Sequence, residues 1–170
     1  MNIDLASVGN IAKQIDVSLD PTEIDLDGEN VRLTAKVRLN GDLERLDARA
    51  HLCGTIETDV VLDCTRCLEP VEKHLDIPVR AIFVDSTHDN TGAEAEISDE
   101  ALDESVVQDS KIDLAEVVRE QILLSLPEQI FCREDCKGLC PKCGANLNLI
   151  DCKCASDEVD PRWEALKNLK

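Results

Sequence analysis

Tyrosine is absent from the 170 residues, which contain only one tryptophan and two phenylalanines. A chain so poor in rings lacks the stacking platform on which proteins hold single-stranded nucleic acid. Its core must be built from Val, Leu, Ile and Ala, which is still sufficient to fold a domain. Basic residues are also scarce, with 18 Lys and Arg against 36 Asp and Glu and a formal charge of -18. That balance opposes broad contact with a phosphate backbone and favours a basic protein partner. No apolar run approaches the roughly 18 to 20 residues of a membrane span. The opening MNIDLASVGN has neither a basic stretch nor an apolar one of the kind that directs export. A soluble, unexported chain in the cytoplasm, with no membrane partner, is the expectation.

Against that background nine cysteines stand out. In a reducing compartment they point to metal ligation or redox chemistry rather than to disulfides. Six of them, Cys132, Cys136, Cys140, Cys143, Cys152 and Cys154, fall within 23 residues. Leu139-Cys140-Pro141-Lys142-Cys143-Gly144 has the form of a zinc knuckle: two thiolates three positions apart in a tight turn can grip one ion, and the glycine permits the backbone to turn. Cys64-Thr65-Arg66-Cys67 is a second pair of the same spacing. A thioredoxin-like redox pair opens a helix, whose N-terminus lowers the thiol pKa. Leu68-Glu69-Pro70 after a strand pattern is a poor helix opening, so metal is the better reading here too.

Four thiolates close one tetrahedral zinc. Eight of the nine cysteines lie in such pairs, leaving Cys53 over. One allocation puts Cys140, Cys143, Cys152 and Cys154 in a local site, with Cys64, Cys67, Cys132 and Cys136 joining the end of a strand to the segment after a helix. The other draws Cys132 or Cys136 into a single site and leaves the Cys64 pair vacant. One or two structural zinc ions are therefore expected, iron being the alternative for four sulfurs. Such sites have no open position for water or substrate. No nucleophile with a base and no phosphate-cradling glycine loop is legible. His51, His74 and His88 are scattered and receive no role, so the chain is read as a non-enzyme.

The rest of the sequence supplies a scaffold. Val31, Leu33, Ala35, Val37 and Leu39 alternate with polar residues, which predicts a strand with one wet face. Asn40-Gly41 predicts a turn. Alternation resumes over Leu46, Ala48, Ala50 and Leu52, then Ile56, Val60, Leu62 and Cys64, and again from Leu75 to Phe83. Pro78 places that last strand at an edge or a bulge. Asp27-Gly28 predicts an earlier hairpin between residues 22–26 and 31 onward. The fold class is α+β: an antiparallel sheet of about four to six strands over residues 1–84, curled into a barrel or small sandwich. Residues 85–105 read as an acidic loop or linker, with eight carboxylates and no Lys or Arg between positions 85 and 104. Such a segment is a solvated face or a docking surface for a basic protein. Residues 106–131 hold a helix that packs on the sheet, capped at Asp113, carrying Leu114, Val117, Val118, Ile122 and Leu124, and stopped at Pro127. Residues 132–170 form the zinc module, ending in a helix that begins at Asp160-Pro161 and places Trp163, Leu166 and Leu169 on one face.

Taken together, Leu62-Asp63-Cys64-Thr65-Arg66-Cys67-Leu68-Glu69-Pro70, the helix end Leu124-Ser125-Leu126-Pro127, the run from Cys132 to Asn148 and Asp160-Pro161-Arg162-Trp163 resemble the YceD-like large ribosomal RNA subunit accumulation proteins of bacteria and plastids. The resemblance implies a non-enzymatic role in accumulation of large-subunit ribosomal RNA and in ribosome assembly. Its partners would be large-subunit precursors or basic ribosomal and assembly proteins, with direct RNA contact limited to the less acidic segment from Arg133 to Lys153. Two other classes stay open at this point: a zinc-dependent nucleic-acid-binding regulator, and a dithiol oxidoreductase using Cys64 and Cys67.

Overall fold

The computed structural model describes residues 2–26, 31–47, 49–85, 104–107, 109–154 and 162. The acidic stretch 86–103, the expected turn at Asp27-Gly28 and the expected helix face of Trp163, Leu166 and Leu169 lie outside them. The chain divides into two compact units, one of Met1–Leu62 with Val71–Glu128, the other of Asp63–Pro70 with the chain from Gln129 onward.

The first unit is built on a six-stranded sheet ordered β2-β4-β5-β6-β7, with β3 paired to β5. Its strands are β2 (Lys13–Leu19), β3 (Val31–Leu33), β4 (Val37–Leu46), β5 (Arg49–Asp63), β6 (Pro70–Asp85) and β7 (Glu104–Val107). A two-stranded ribbon joins β1 (Asn2–Asp4) antiparallel to β8 (Lys111–Asp113). Pairing is antiparallel for β2 with β4, β3 with β5 and β4 with β5, but β7 runs parallel to β6. The period of two found along the sequence becomes burial: Ile15, Val17 and Leu19 of β2, Val37 and Leu39 of β4, and Ile56, Val60 and Leu62 of β5 are all buried. Phe83 is the one buried aromatic among the described residues, so the interior is aliphatic as the composition requires.

Several expectations are corrected. The sheet is open: β2 forms one edge and β7 the other, and no barrel or sandwich closes among the described residues. β7 joins through only Ile82–Asp85 of β6, while the β2 border carries charge pairs, Arg38 with Asp16 at 3.4 Å and Lys36 with Asp20 at 3.1 Å. Short and charged edges resist further pairing. Asn40-Gly41 is no turn. Gly41 lies in the middle of β4 directly opposite Gly54 of β5, where a Cβ would sit 2.4 Å from the Cys53 carbonyl oxygen. The two glycines serve close backbone approach, and the chain turns instead at Asp47, with φ 57°. Residues 22–26 form no strand, because Asp20 and Glu23 close a capping box around the one-turn helix Pro21–Glu23. The segment at 104–107, expected to be linker running into helix, is β7. Pro78 does stand on a stretch of β6 beyond the residues that β7 pairs.

Helix α1 (Leu114–Ser125) begins where the cap predicts: the Asp113 side chain accepts from the Ala115 N–H at 3.0 Å, and Glu116 lies in the first turn. It buries Leu114, Val117, Val118 and Ile122. Leu124 is 79% exposed and belongs to the outer face. Leu126 ends the helix in extended conformation one residue before Pro127.

Candidate metal centre

The described residues of the second unit have almost no regular structure, and their order comes from two tight turns of the same design. In the first, between β5 and β6, the Cys64 N–H donates to the Glu69 carbonyl at 2.8 Å and the Leu68 N–H to the Cys64 carbonyl at 2.9 Å. In the second, the Cys140 N–H donates to the Ala145 carbonyl at 2.8 Å and the Gly144 N–H to the Cys140 carbonyl at 2.8 Å. Each turn points both cysteines of a Cys-x-x-Cys to one side. Gly144, at φ 71°, makes the left-handed step that the knuckle pattern calls for.

The two turns are joined by short backbone bonds. The Arg66 carbonyl accepts from the Leu139 N–H at 3.0 Å, and Gly138, at φ 76°, passes so close that an added Cβ would meet that same carbonyl oxygen at 3.0 Å. The Arg66 side chain completes the joint, its guanidinium 4.1 Å from the Phe131 ring centroid and donating to the Cys136 carbonyl at 3.0 Å. Thr65 holds the Ile130 carbonyl with both its N–H and its hydroxyl, at 2.9 and 3.0 Å. These contacts bring Cys132 and Cys136 to the Cys64 turn.

The result is two groups of four sulfurs. Cys64, Cys67, Cys132 and Cys136 form the first, and Cys140, Cys143, Cys152 and Cys154 the second, with the sulfurs of each group within 4.8 Å of one another. Both groups could hold a metal ion. The first of the two allocations left open by the spacing is the one the structure assembles, and Cys53 stays outside, exposed on β5. A tetrahedron of sulfurs about 2.3 Å from a central ion has edges of about 3.8 Å. In the first cluster Cys64 and Cys136 are 3.8 Å apart, and Cys67 and Cys132 3.5 Å. These spacings are nearly twice a disulfide bond and match sulfurs arranged around an ion.

Electrostatics agree with that fit. Burial pushes the Cys64 thiol up, but backbone N–H groups of Cys67 and Arg66 outweigh it and bring it to about 6. The N–H groups of Cys143 and Lys142 likewise bring Cys140 to about 6. The Asn148 amide leads the causes that lower Cys136. Other members go the opposite way: burial and neighbouring thiols push Cys132 up to about 12, and the Cys143 thiol leads in pushing Cys154 to about 12. Four sulfurs this close cannot all be thiolates by themselves, and a divalent cation at their centre removes the conflict. The clusters differ in cover. Cys64, Cys67 and Cys136 are buried in the first, whereas in the second only Cys140 is buried, with Cys143 and Cys154 exposed.

Of the histidines, His74 hydrogen-bonds Asp59 at 2.7 Å, and His88 lies outside the described residues. The residue that sequence reasoning missed is Asn148, whose amide donates to the Cys136 sulfur at 3.3 Å. An asparagine between two cysteine pairs was the only signal, and periodicity does not register it.

Known proteins place the chain. The family model described as Large ribosomal RNA subunit accumulation protein YceD matches residues 52–170, a span that contains all eight clustered cysteines. An uncharacterized protein of Mycobacterium tuberculosis is 30% identical over 172 residues, covering 98% of this chain and 79% of that protein. The uncharacterized protein YlbN of Bacillus subtilis is 29% identical over 157 residues, 92% of this chain and 87% of YlbN. The chloroplastic large ribosomal RNA subunit accumulation protein YCED homolog 1 of Zea mays is 28% identical over 179 residues, 92% of this chain and 60% of the maize protein. No solved structure matches the chain. Among the described residues no helix is long and apolar enough to cross a membrane. With a family model running across both sulfur clusters and relatives aligned along nearly its whole length, the chain belongs to the YceD family of large ribosomal RNA subunit accumulation proteins.

Proposed function

We propose that the protein is a non-catalytic factor supporting accumulation of large-subunit ribosomal RNA during ribosome assembly, and that its second unit is held by two structural zinc ions. The carrying observation is the closure of each sulfur cluster. Four thiolates satisfy a tetrahedral ion completely, which suits a scaffold and leaves no place for water or substrate. Zinc, with no redox chemistry of its own, fits the reducing compartment that so many free thiols imply, ahead of iron. Cys64, Cys67, Cys132 and Cys136 hold one ion, and Cys140, Cys143, Cys152 and Cys154 the other.

The dithiol oxidoreductase loses support, since Cys67 is followed within three residues by β6 rather than by a helix. Charge argues against a nucleic-acid-binding regulator: at -18 the chain would repel phosphate over most of its surface. Basic ribosomal or assembly proteins, or precursors that carry them, are the partners that this charge suits, with the second unit as the docking element. The cytoplasm is the reducing compartment that suits nine free cysteines. The test is complementation of cells lacking the native protein. The parent chain should co-sediment with large-subunit precursors and restore mature large-subunit RNA relative to small-subunit RNA, and Cys143→Ser should do neither. Normal RNA levels with Cys143→Ser, with the sheet unit still folded, would remove the second unit from the function.

A further inference from the structure

We infer that Asn148 is a positioning residue that couples the two sulfur clusters, so that metal at one raises the affinity of the other. The inference rests on the metal-binding reading above. Asn148 lies between Cys143 and Cys152, in the loop whose ends are ligands of the second cluster, yet its side chain serves the first. Its Oδ1 accepts from the Lys137 backbone N–H at 2.8 Å, while its Nδ2 donates to Cys136 Sγ at 3.3 Å. Because a backbone N–H can only donate, the oxygen must face Lys137 and the NH2 must face the sulfur.

A chain of bonds keeps the amide there. The Asn148 N–H is taken by Asn146 Oδ1 at 3.0 Å, and Asn146 Nδ2 donates to Glu69 Oε1 at 3.1 Å. Glu69 belongs to the first knuckle, its carbonyl accepting from the Cys64 N–H. The loop also returns to the segment between Cys136 and Cys140, where the Leu147 N–H donates to the Gly138 carbonyl at 2.9 Å and Leu139 forms an isolated bridge with Asn146. The loop anchored by the second cluster therefore grips the first at two points, one of them a ligand sulfur.

Two physical effects follow. Four thiolates around a divalent cation leave an excess of two negative charges, and an N–H donated to one sulfur draws part of that charge away. A cation at the second cluster pins both ends of the loop and reduces the entropy lost in placing Asn148. Linkage makes the effect reciprocal, so occupancy of the first cluster steadies the second.

Asn148→Asp isolates the sulfur contact. Aspartate keeps the shape and the acceptor for Lys137 but loses the donor and brings a carboxylate to Cys136; Asn148→Ala removes both contacts. The full chain is titrated with zinc against a chromophoric chelator, and with cobalt for its sulfur-to-metal charge-transfer band. The parent should bind two ions. Both variants should weaken the first cluster about tenfold to a hundredfold, Asp more than Ala, and move its charge-transfer band to lower energy. Cys143→Ser, which opens the second cluster, should weaken the first by a similar factor and make Asn148→Asp nearly neutral in that background. If Asn148→Asp binds both ions with the parent's affinity and an unchanged band, the coupling is overturned and the metal sites stand. If the parent binds no ion, the metal reading itself falls, and the coupling with it.

Discussion

Leu68, at φ 60°, occupies in the first knuckle the position that Gly144, at φ 71°, occupies in the second. A left-handed backbone costs a residue with a side chain about 1–2 kcal/mol, a cost that glycine largely escapes. Leu68 is 63% exposed, so burial of its side chain returns little of this. Leu68→Gly is therefore predicted to stabilise the second unit by about 0.5–1 kcal/mol, once the extra freedom of glycine in the unfolded chain is counted. The reverse change, Gly144→Leu, should cost about 1–2 kcal/mol although its Cβ would meet nothing within 4 Å. Resistance of the second unit to proteolysis across a denaturant series measures both.

Gly41 and Gly54 give a prediction for the first unit. A Cβ on Gly54 would stand 2.4 Å from the Asn40 carbonyl oxygen and 2.8 Å from the Gly41 Cα. Backbone atoms in the middle of two paired strands cannot step aside. Either Gly41→Ala or Gly54→Ala is expected to lose about 2–3 kcal/mol or more, and the double variant should not recover it. Chemical denaturation of the full chain, followed in the far ultraviolet, reads the loss.

His74 supplies a pH test. Its hydrogen bond to Asp59 leads the causes that raise its pKa above the ordinary 6.5, with the charges of Asp59, Glu57 and Asp76 adding to it. A folded pKa above the unfolded one makes the charged form the stabilising one. That contribution is present in full below about 6.5 and disappears as the pH rises through the folded value. Both side chains are more than half exposed, so screening keeps the effect on stability small. The sharper readout is the imidazole titration by NMR, which should move down toward the ordinary value in Asp59→Asn.

The acidic segment carries a prediction about partner binding. Exposed charges steer a basic partner over a range of about 8 Å at physiological salt. Neutralising Asp99, Glu100, Asp103 and Glu104 together should slow association with large-subunit precursors and flatten its salt dependence, while slowing dissociation little. Association rates at two salt concentrations decide this, and an unchanged salt slope would assign the steering elsewhere. Glu104 has a competing role, since it pairs with Arg49 at 2.6 Å across the sheet. A set lacking the Glu104 change is the control for folding.

The cysteine grouping was legible because sulfurs able to share an ion have strict requirements: a pair three apart must turn back on itself, and it must meet two further sulfurs. Helix α1 was legible for a similar reason, with Asp113, Glu116 and Pro127 each acting within one turn of the chain. What failed depended on distant partners. Asn40-Gly41 has the composition of a turn, but the glycine answers to Gly54 across the sheet. Lys13–Leu19 is the exception, a strand the sequence analysis missed although its signal is local: Ile15, Val17 and Leu19 alternate into the core and Asp20-Pro21 follows as a stop. Whether a sheet closes depends on what its edge strands meet, and β7 joins β6 from beyond the acidic stretch, a long-range pairing that no local pattern encodes.

The two-site claim is tested most directly by counting metal. The full chain, purified under reducing conditions, should carry two zinc ions, and the variant with both Cys64→Ser and Cys67→Ser should carry one. A count of zero in the parent, or a single ion that persists unchanged when Cys64 and Cys67 are both replaced, would contradict the account.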